Sequence, residues 1–404
     1  MLSRLLDKLF KDTPDNDAFA QRFIAAARRS GITAELHYDA ELFQIRQEGG
    51  GYTCNLTNAH RAYLDAPRGK QQQALETFVR GMHLGTRREA DWDTLRPLLR
   101  PIIRSISQLE QLRLQTAIDH GWDTPNHLQY RRLTDECIEM LAIDYDEHME
   151  TKANGPDAEW GVSLHEALDI ARGNLRGLDQ VPFQAITPGL FRAAWEDSYD
   201  SSRALLPELI NRVPVNGRPV FMLPTRDVLM VAGDRDPDAQ ALMLALAQHA
   251  FEDGRVISWE LLRHDDNGRI EACPPATEAL QVQQDRLRQL LRQGDYQTQQ
   301  QLLRRIHEAQ GEDIHVATFL LMEKDGVARS ICSWSPGVAA SLPRTDQLGL
   351  SIPTEGEPRI AFVDWDAAMP IVGHLLEQDP RHLHPPRYLT RGYPTEQQLA
   401  ELTA

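Results

Sequence analysis

The chain has 404 residues, 41% apolar and 25% charged, the balance of an ordinary globular protein. It is long enough to bury a core without disulfide or metal staples. Its 43 basic and 59 acidic residues leave a net charge of −16, which excludes the broad basic field of a nucleic-acid binder, and the composition excludes collagen-like, coiled-coil and disordered classes.

At the start of the chain Leu2, Leu5, Leu6, Leu9 and Phe10 share one helical face, with Arg4, Lys8 and Lys11 off it. The segment reads either as a surface- or partner-docking helix or as a short helix packed on its own domain. Charges interrupt it and no small-residue cleavage site follows, so no secretory leader is expected. No run approaches the ~18 apolar residues of a spanning helix. An amphipathic helix is predicted over 17–29, with Gly31 as its stop. Extended runs follow at 34–38 and 42–46, a turn at Gly49-Gly50-Gly51, a strand region over 52–64 and a helix over 71–83. The triple glycine lacks the G-K-[ST] continuation of a phosphate loop. Residues 1–90 thus read as a small α+β unit.

Residues 91–115 read as a connection broken by Pro97 and Pro101. The run Cys137-Ile-Glu-Met-Leu-Ala-Ile143 reads as a buried strand. Ser163-x-x-Glu166 is a capping box that predicts a helix over 163–175. Strands are expected over 183–195 and 219–232, helices over 201–210 and 238–251, and last strands over 256–263 and 268–272. Pro274-Pro275 marks a boundary, so the domains are predicted as 1–90, 91–275 and 276–404. In the third, 278–310 reads as two helices split at Gly294-Asp295. A hairpin is expected around Lys324-Asp325-Gly326, then a strand at 359–363, a helix at 367–376 and a Pro- and His-rich surface tail over 380–393. The fold class is α+β: small helix–antiparallel-sheet units in tandem. The four cysteines, Cys54, Cys137, Cys273 and Cys332, stand far apart with no C-x-x-C pair, as in reduced, buried thiols of a cytoplasmic protein.

Several stretches together resemble the uncharacterised bacterial YtpQ-like family over about residues 20–275. Pro101-Ile-Ile-Arg-Ser105 resembles its P-[IV]-[IV]-R-S element, and Asn174-Leu-Arg-Gly-Leu178 its N-L-R-x-L helix. Tyr199-Asp-Ser-Ser-Arg-Ala-Leu-Leu206 resembles its Y-D-A-S-R-[IVL]-L element. Val220–Val231 with Asp234 is similar to its strand–turn–strand hairpin, and Gly254-Arg-Val-Ile-Ser258 to its terminal strand, although Val256-Ile257 stands where many members carry proline. The resemblance implies a soluble cytosolic α+β protein and no catalytic residue. Residues 276–404 lie outside it.

The densest polar cluster is Trp195–Arg203. Glu196, Asp197, Asp200 and Arg203 could line a binding cleft, joined by Arg226 and Asp227 from the turn between two apolar runs. The plainer reading makes Asp200 and Ser201 helix caps, Asp200–Arg203 a helix-start ion pair and Asp227 a turn former. The acidic run Asp144, Asp146, Glu147, His148 and Glu150 lacks the spacing of a calcium loop. His374, His382 and His384, with Glu377 and Asp379, are the best metal suggestion, but Pro380, Pro385 and Pro386 mark a surface loop, and no metal or cofactor is expected. Cys332, Ser333 and Ser335 form no nucleophile elbow, so no catalytic residue is assigned. The expected function is a cytoplasmic factor that binds another protein (adaptor, chaperone or immunity-type), with neither nucleic acid nor an integral membrane association. The alternative is a hydrolase or metal-dependent enzyme working at 195–203 or at the 374–384 tail. A deep polar pocket near Asp200 and Arg226 would favour the enzyme. A broad apolar patch or open sheet edge would favour the partner-binder.

Overall fold

In the computed structural model Asp15 caps the first described helix, its carboxylate accepting from the Ala18 N–H at 2.8 Å. The structure describes residues 14–40, 43–47, 53–67, 69–84, 91–122, 127–145, 149–178, 183–195, 197–252, 256–324, 327–352 and 359–403. The N-terminal apolar segment, the triple glycine and most of the 144–150 acidic run lie outside them. The chain divides into two compact units, 1–96 with 143–150, and 97–142 with 151–404.

In the smaller unit, helix α1 (Asn16–Arg29) buries Phe19, Ala20, Phe23, Ala26 and Ala27, the i, i+4, i+7, i+8 stripe that its sequence carries. Strands β1 (Leu36–Asp39), β2 (Gln44–Gln47) and β3 (Thr53–Asn55) form an antiparallel sheet in that order. Helices α2 (Leu56–Asp65) and α3 (Gln71–Leu84) complete the unit. The strand expected over 52–64 ends at Asn55. Leu56, Ala59 and Tyr63 recur at helical spacing and all three are buried against Phe19 and Leu75, so the 3.6-residue period wins.

The larger unit opens with β4 (Leu99–Ser105) and α4 (Ile106–His120), where a mere connection was expected. Pro101 is compatible with β4 because that strand lies at a sheet edge, where a missing N–H breaks no ladder. Strands β5 (Arg131–Arg132), β6 (Cys137–Asp144) and β7 (Met149–Lys152) join it, with β6 central. Helix α5 (Leu164–Arg176) starts at Ser163 with both halves of the capping box formed.

Next comes a six-stranded antiparallel sheet of β8 (Gln184–Thr187), β9 (Leu190–Arg192), β10 (Pro219–Thr225), β11 (Val228–Gly233), β12 (Leu261–His264) and β13 (Ile270–Ala272). Its order is β13-β12-β10-β11-β9-β8. Alternation sorts its side chains. Val220, Met222, Met230 and Ala232 face helix α6 (Pro237–Glu252), while Phe221, Leu223, Leu229 and Val231 pack with Ile103, Cys137 and Ala204.

Helix α7 (Glu278–Gln310) runs unbroken for 33 residues, where two helices were expected. Gly294 costs a helix about 1 kcal/mol relative to alanine, but Leu287, Tyr296, Leu302 and Ile306 on either side are buried, and that burial outweighs the cost. Pro274-Pro275 ends the sheet without ending the core. Cys273, Leu280 and Leu287 share one apolar cluster with Met222 and Met243.

Two four-stranded sheets follow. One, in the order β14-β17-β21-β20, comprises β14 (His315–Val316), β17 (Ala340–Pro343), β20 (Leu376–Gln378) and β21 (Arg387–Thr390). The other, β15-β16-β18-β19, comprises β15 (Leu320–Lys324), β16 (Val327–Trp334), β18 (Gln347–Ile352) and β19 (Arg359–Asp364). Helices α8 (Trp365–Val372) and α9 (Glu396–Thr403) help to cover their shared core around Trp334, Leu342, Leu348 and Ala368. The fold is α+β.

Candidate functional site

The predicted polar cluster is a closed knot. Residues Ser201–Leu205 form one turn of 3-10 helix. Arg203 is 1% exposed. Its guanidinium donates to both Asp197 carboxylate oxygens at 2.8 and 2.6 Å and lies 4.4 Å over the Trp195 ring. Arg203 therefore pairs with Asp197, and the expected Asp200–Arg203 pair does not form. Asp200 does not cap either. It adopts helical backbone angles and accepts from the Trp195 N–H at 3.1 Å. Burial, with Asp197 nearby, raises its carboxyl above the usual range. The Asp197 carboxyl is held low: burial opposes this, but the Arg203 hydrogen bonds and the Tyr199 N–H outweigh it. The 226–227 turn does lie beside this knot, since the Ser201 N–H donates to the Arg226 carbonyl at 3.3 Å. Arg226 contacts its neighbour Asp227 at 3.5 Å, while the Arg203 guanidinium points inward. Glu196 lies outside the described residues.

A second polar assembly draws on segments far apart in sequence. Glu110 of α4 is buried. It accepts from Arg113 at 2.9 Å and from the Leu383 N–H at 3.0 Å, and meets His382 Nδ1 at 3.1 Å. His382 also faces Asp379 at 3.6 Å, and Asp379 pairs with Arg381 at 2.9 Å. Alongside, Arg292 of α7 bridges buried Glu136 and His384. A guanidinium can only donate, so His384 Nε2 accepts from it and the ring is neutral. Burial and the Arg292 charge agree with this in depressing the His384 pKa. Burial would raise Glu110 and Glu136, but the His382 hydrogen bond and the Arg113 charge hold Glu110 below the usual range, and the Arg292 charge holds Glu136 below it.

The expectation of a surface tail over 380–393 is overturned. His382, His384, Asp379 and Arg387 are all buried. Arg387 donates to Gln299 at 2.6 Å and to the Ala317 and Ser341 carbonyls at 3.2 and 3.0 Å, and burial lowers its pKa to about 10. His374 is not drawn into this assembly. Among the described residues no three His, Cys, Asp or Glu side chains are placed to share a metal ion.

Two more carboxyls sit in this region with raised pKa values. Burial pushes Glu260 to about 7, aided by Glu136 and Asp135 and opposed by hydrogen bonds from Thr134 and Ser258. Burial also pushes Asp295 to about 7, against the Ser107 hydrogen bond (2.7 Å) and the Arg292 charge. Asp295 opens on a cavity of about 670 Å³ between α4, α6 and α7, walled by Leu114, Phe251, Leu290 and Leu302 with Gln108, Gln111 and Thr298 among them. Sequence reasoning missed Glu110, Glu136, Arg292 and Asp295. One signal was available: Glu139, inside the apolar run of β6, is fully buried and held by Arg172 at 2.7 and 2.6 Å, and a carboxylate in such a run announces a buried partner.

A third feature is the outer face of the β15-β16-β18-β19 sheet. Strand register places Leu320 beside Ile331, Met322 beside Arg329, Phe362 beside Gly349 and Ile360 beside Ser351, all on one face. Cys332, Trp334, Leu348 and Val363 point the other way, into the core. Leu320, Met322, Ile360 and Phe362 are 46–56% exposed. A Cβ on Gly349 would lie 3.4 Å from the Phe362 ring and 3.5 Å from Ile360, so these two side chains lie over the glycine. The exposed apolar side chains of this face thus come from its two outer strands, with Ile331 and Gly349, and the polar Arg329, Gln347 and Ser351, on the inner strands between them. Among the described residues no helix is long and apolar enough to cross a membrane. Compared with known proteins, the chain matches no family model, no curated protein and no solved structure.

Proposed function

We propose that this chain is a cytoplasmic protein-binding factor, without catalytic activity of its own, that docks an amphipathic helix of a partner protein. The observation that carries this reading is the exposed face of Leu320, Met322, Ile360 and Phe362. Large apolar side chains that share one exposed face mark interaction surfaces. Three interstrand steps of ~4.8 Å span ~14 Å, the length of nearly three helical turns at 5.4 Å each. A helix with apolar residues at i, i+3, i+4 and i+7 matches that span. The net charge of −16 steers basic partners toward the chain. The absence of catalysis is supported at Cys332, whose thiol is buried and pushed up to about 12 by that burial. All four cysteines are buried and none is joined in a disulfide, which fits a reducing compartment.

Membership of the YtpQ-like family is part of this proposal. It is supported by the way the resembling elements meet: Asn174 donates to the Leu99 carbonyl at the head of β4 (3.1 Å), and the Ser201 N–H reaches the Arg226 carbonyl. A photo-crosslinking residue placed at Phe362 in native cells tests the docking surface. A cross-link to a helical segment of one other protein, lost in Leu320→Asp/Ile360→Asp, is expected. Cross-links only to a second copy of the chain, or a partner retained by the double variant, would overturn it.

A further inference from the structure

We propose that the cavity between α4, α6 and α7 is a binding site for a small organic cation, an ammonium group on an apolar body, with Asp295 as the counter-ion. Its volume of about 670 Å³ falls in the range of small-molecule sites, and apolar walls with a few placed polar groups are their usual lining. The charged side chains that line it among the described residues are Glu110 and Asp295, with the neutral His384 beside them.

The two carboxylates differ in what they have left to offer. Glu110 is spent, with His382 on one oxygen and Arg113 and the Leu383 N–H on the other. Asp295 accepts from Ser107 on Oδ2 and stands 3.8 Å from Arg292 through that same oxygen. Arg292 itself is turned onto Glu136 and His384. Asp295 lines the cavity, and its Oδ1 accepts no hydrogen bond from the described residues. A positively charged head would find a carboxylate beside the Leu114, Phe251, Leu290 and Leu302 walls, with the neutral amides of Gln108, Gln111 and Gln248 around it, a site where the attraction is screened less than in bulk water. A second anion would meet Asp295 and Glu110 and no facing cation.

Gly294 lies at the solvent-exposed edge of the same cavity. It lines the cavity, and a Cβ there would meet nothing within 4 Å. Neither backbone strain nor a close neighbour demands glycine in the middle of α7, yet it weakens the helix relative to alanine. What its bare backbone provides is open volume next to Asp295.

Isothermal titration calorimetry of the full chain at pH 8 tests this with three amines: hexylamine, 4-phenylbutylamine and cyclohexylmethylamine. The matched controls for the second are 4-phenylbutan-1-ol and 4-phenylbutyrate. At least one amine is expected to bind, and the alcohol and acid at least tenfold more weakly than 4-phenylbutylamine where that is the binder. Asp295→Asn should lower amine affinity at least tenfold. Gly294→Leu, which favours the helix and places its side chain in open space, should abolish binding while cooperative unfolding is retained. Failure of all three amines, equal affinity for amine and acid, or binding unchanged in Gly294→Leu would each overturn the proposal. If Asp295→Asn does not fold, loss of binding in Gly294→Leu together with the amine-over-acid ratio still decides it.

Discussion

The Asp197–Arg203 knot and the Asp295 cavity are both rich in charge, and they have opposite character. In the knot one buried guanidinium meets one carboxylate through two hydrogen bonds, under an aromatic ring. Its charges cancel within seven residues of chain, as a structural clasp requires. The cavity is lined by Glu110 and Asp295, and behind it Glu136 acts on both Asp295 and Glu260, with arginines pairing Glu110 and Glu136 and standing 3.8 Å from Asp295. Two of these carboxyls have pKa values near 7. Such perturbation through burial and like charge accumulates at functional sites. Polar density along the sequence thus marked a clasp, while polar density in space marks the cavity.

Three measurements can break or sharpen that contrast. The largest effect is expected at the knot. Asp197→Ala leaves the Arg203 charge buried and unpaired, which costs about 3–5 kcal/mol, read as a drop in the urea midpoint at constant slope. A loss below about 1 kcal/mol, the size of an exposed pair, would remove its status as a clasp.

A smaller effect is expected at Glu260. Its folded pKa is raised to about 7, above the unfolded value near 4.3, so the folded state holds more protons between those limits. Its contribution to stability is therefore greatest below about pH 4 and is lost as pH rises toward 7, after which it levels off. Glu260→Gln removes that dependence and should stabilise the chain on the order of 2 kcal/mol at pH 8, with little gain at pH 4. Equal shifts at both pH values would show that Glu260 is not held protonated by its surroundings.

The smallest effect is expected at Gly294. Gly294→Ala should stabilise by about 1 kcal/mol, seen as a rise in Tm, because the new methyl enters open space. Destabilisation would mean that the space beside α7 is closed.

Much of the fold was legible because its signals are local. The capping box at Ser163 and Glu166, the stripe of α1 and the turn between the apolar runs of β10 and β11 depend on neighbours a few residues away. The same locality misled elsewhere. Gly294-Asp295 looks like a break until the burial on both sides of it is known, and Leu56–Tyr63 looks extended until its helical stripe finds Phe19. Strands β17 and β18 were not anticipated at all, for they owe their place to pairing with β21, β16 and β19.

The amino-acid order by itself determined the class of fold, the start and stop of α1, α3, α5 and α6 and the turn of the central hairpin, because capping, period and turn chemistry act within one or two turns of chain. Only the tertiary structure decided which charges are spent and which are free. His382 meets Glu110 across 272 positions and Arg292 meets Glu136 across 156, and no spacing rule reaches that far. A carboxyl's pKa and a histidine's protonation follow from burial and from opposite charges within a few ångströms, and that surround exists only once distant segments have packed.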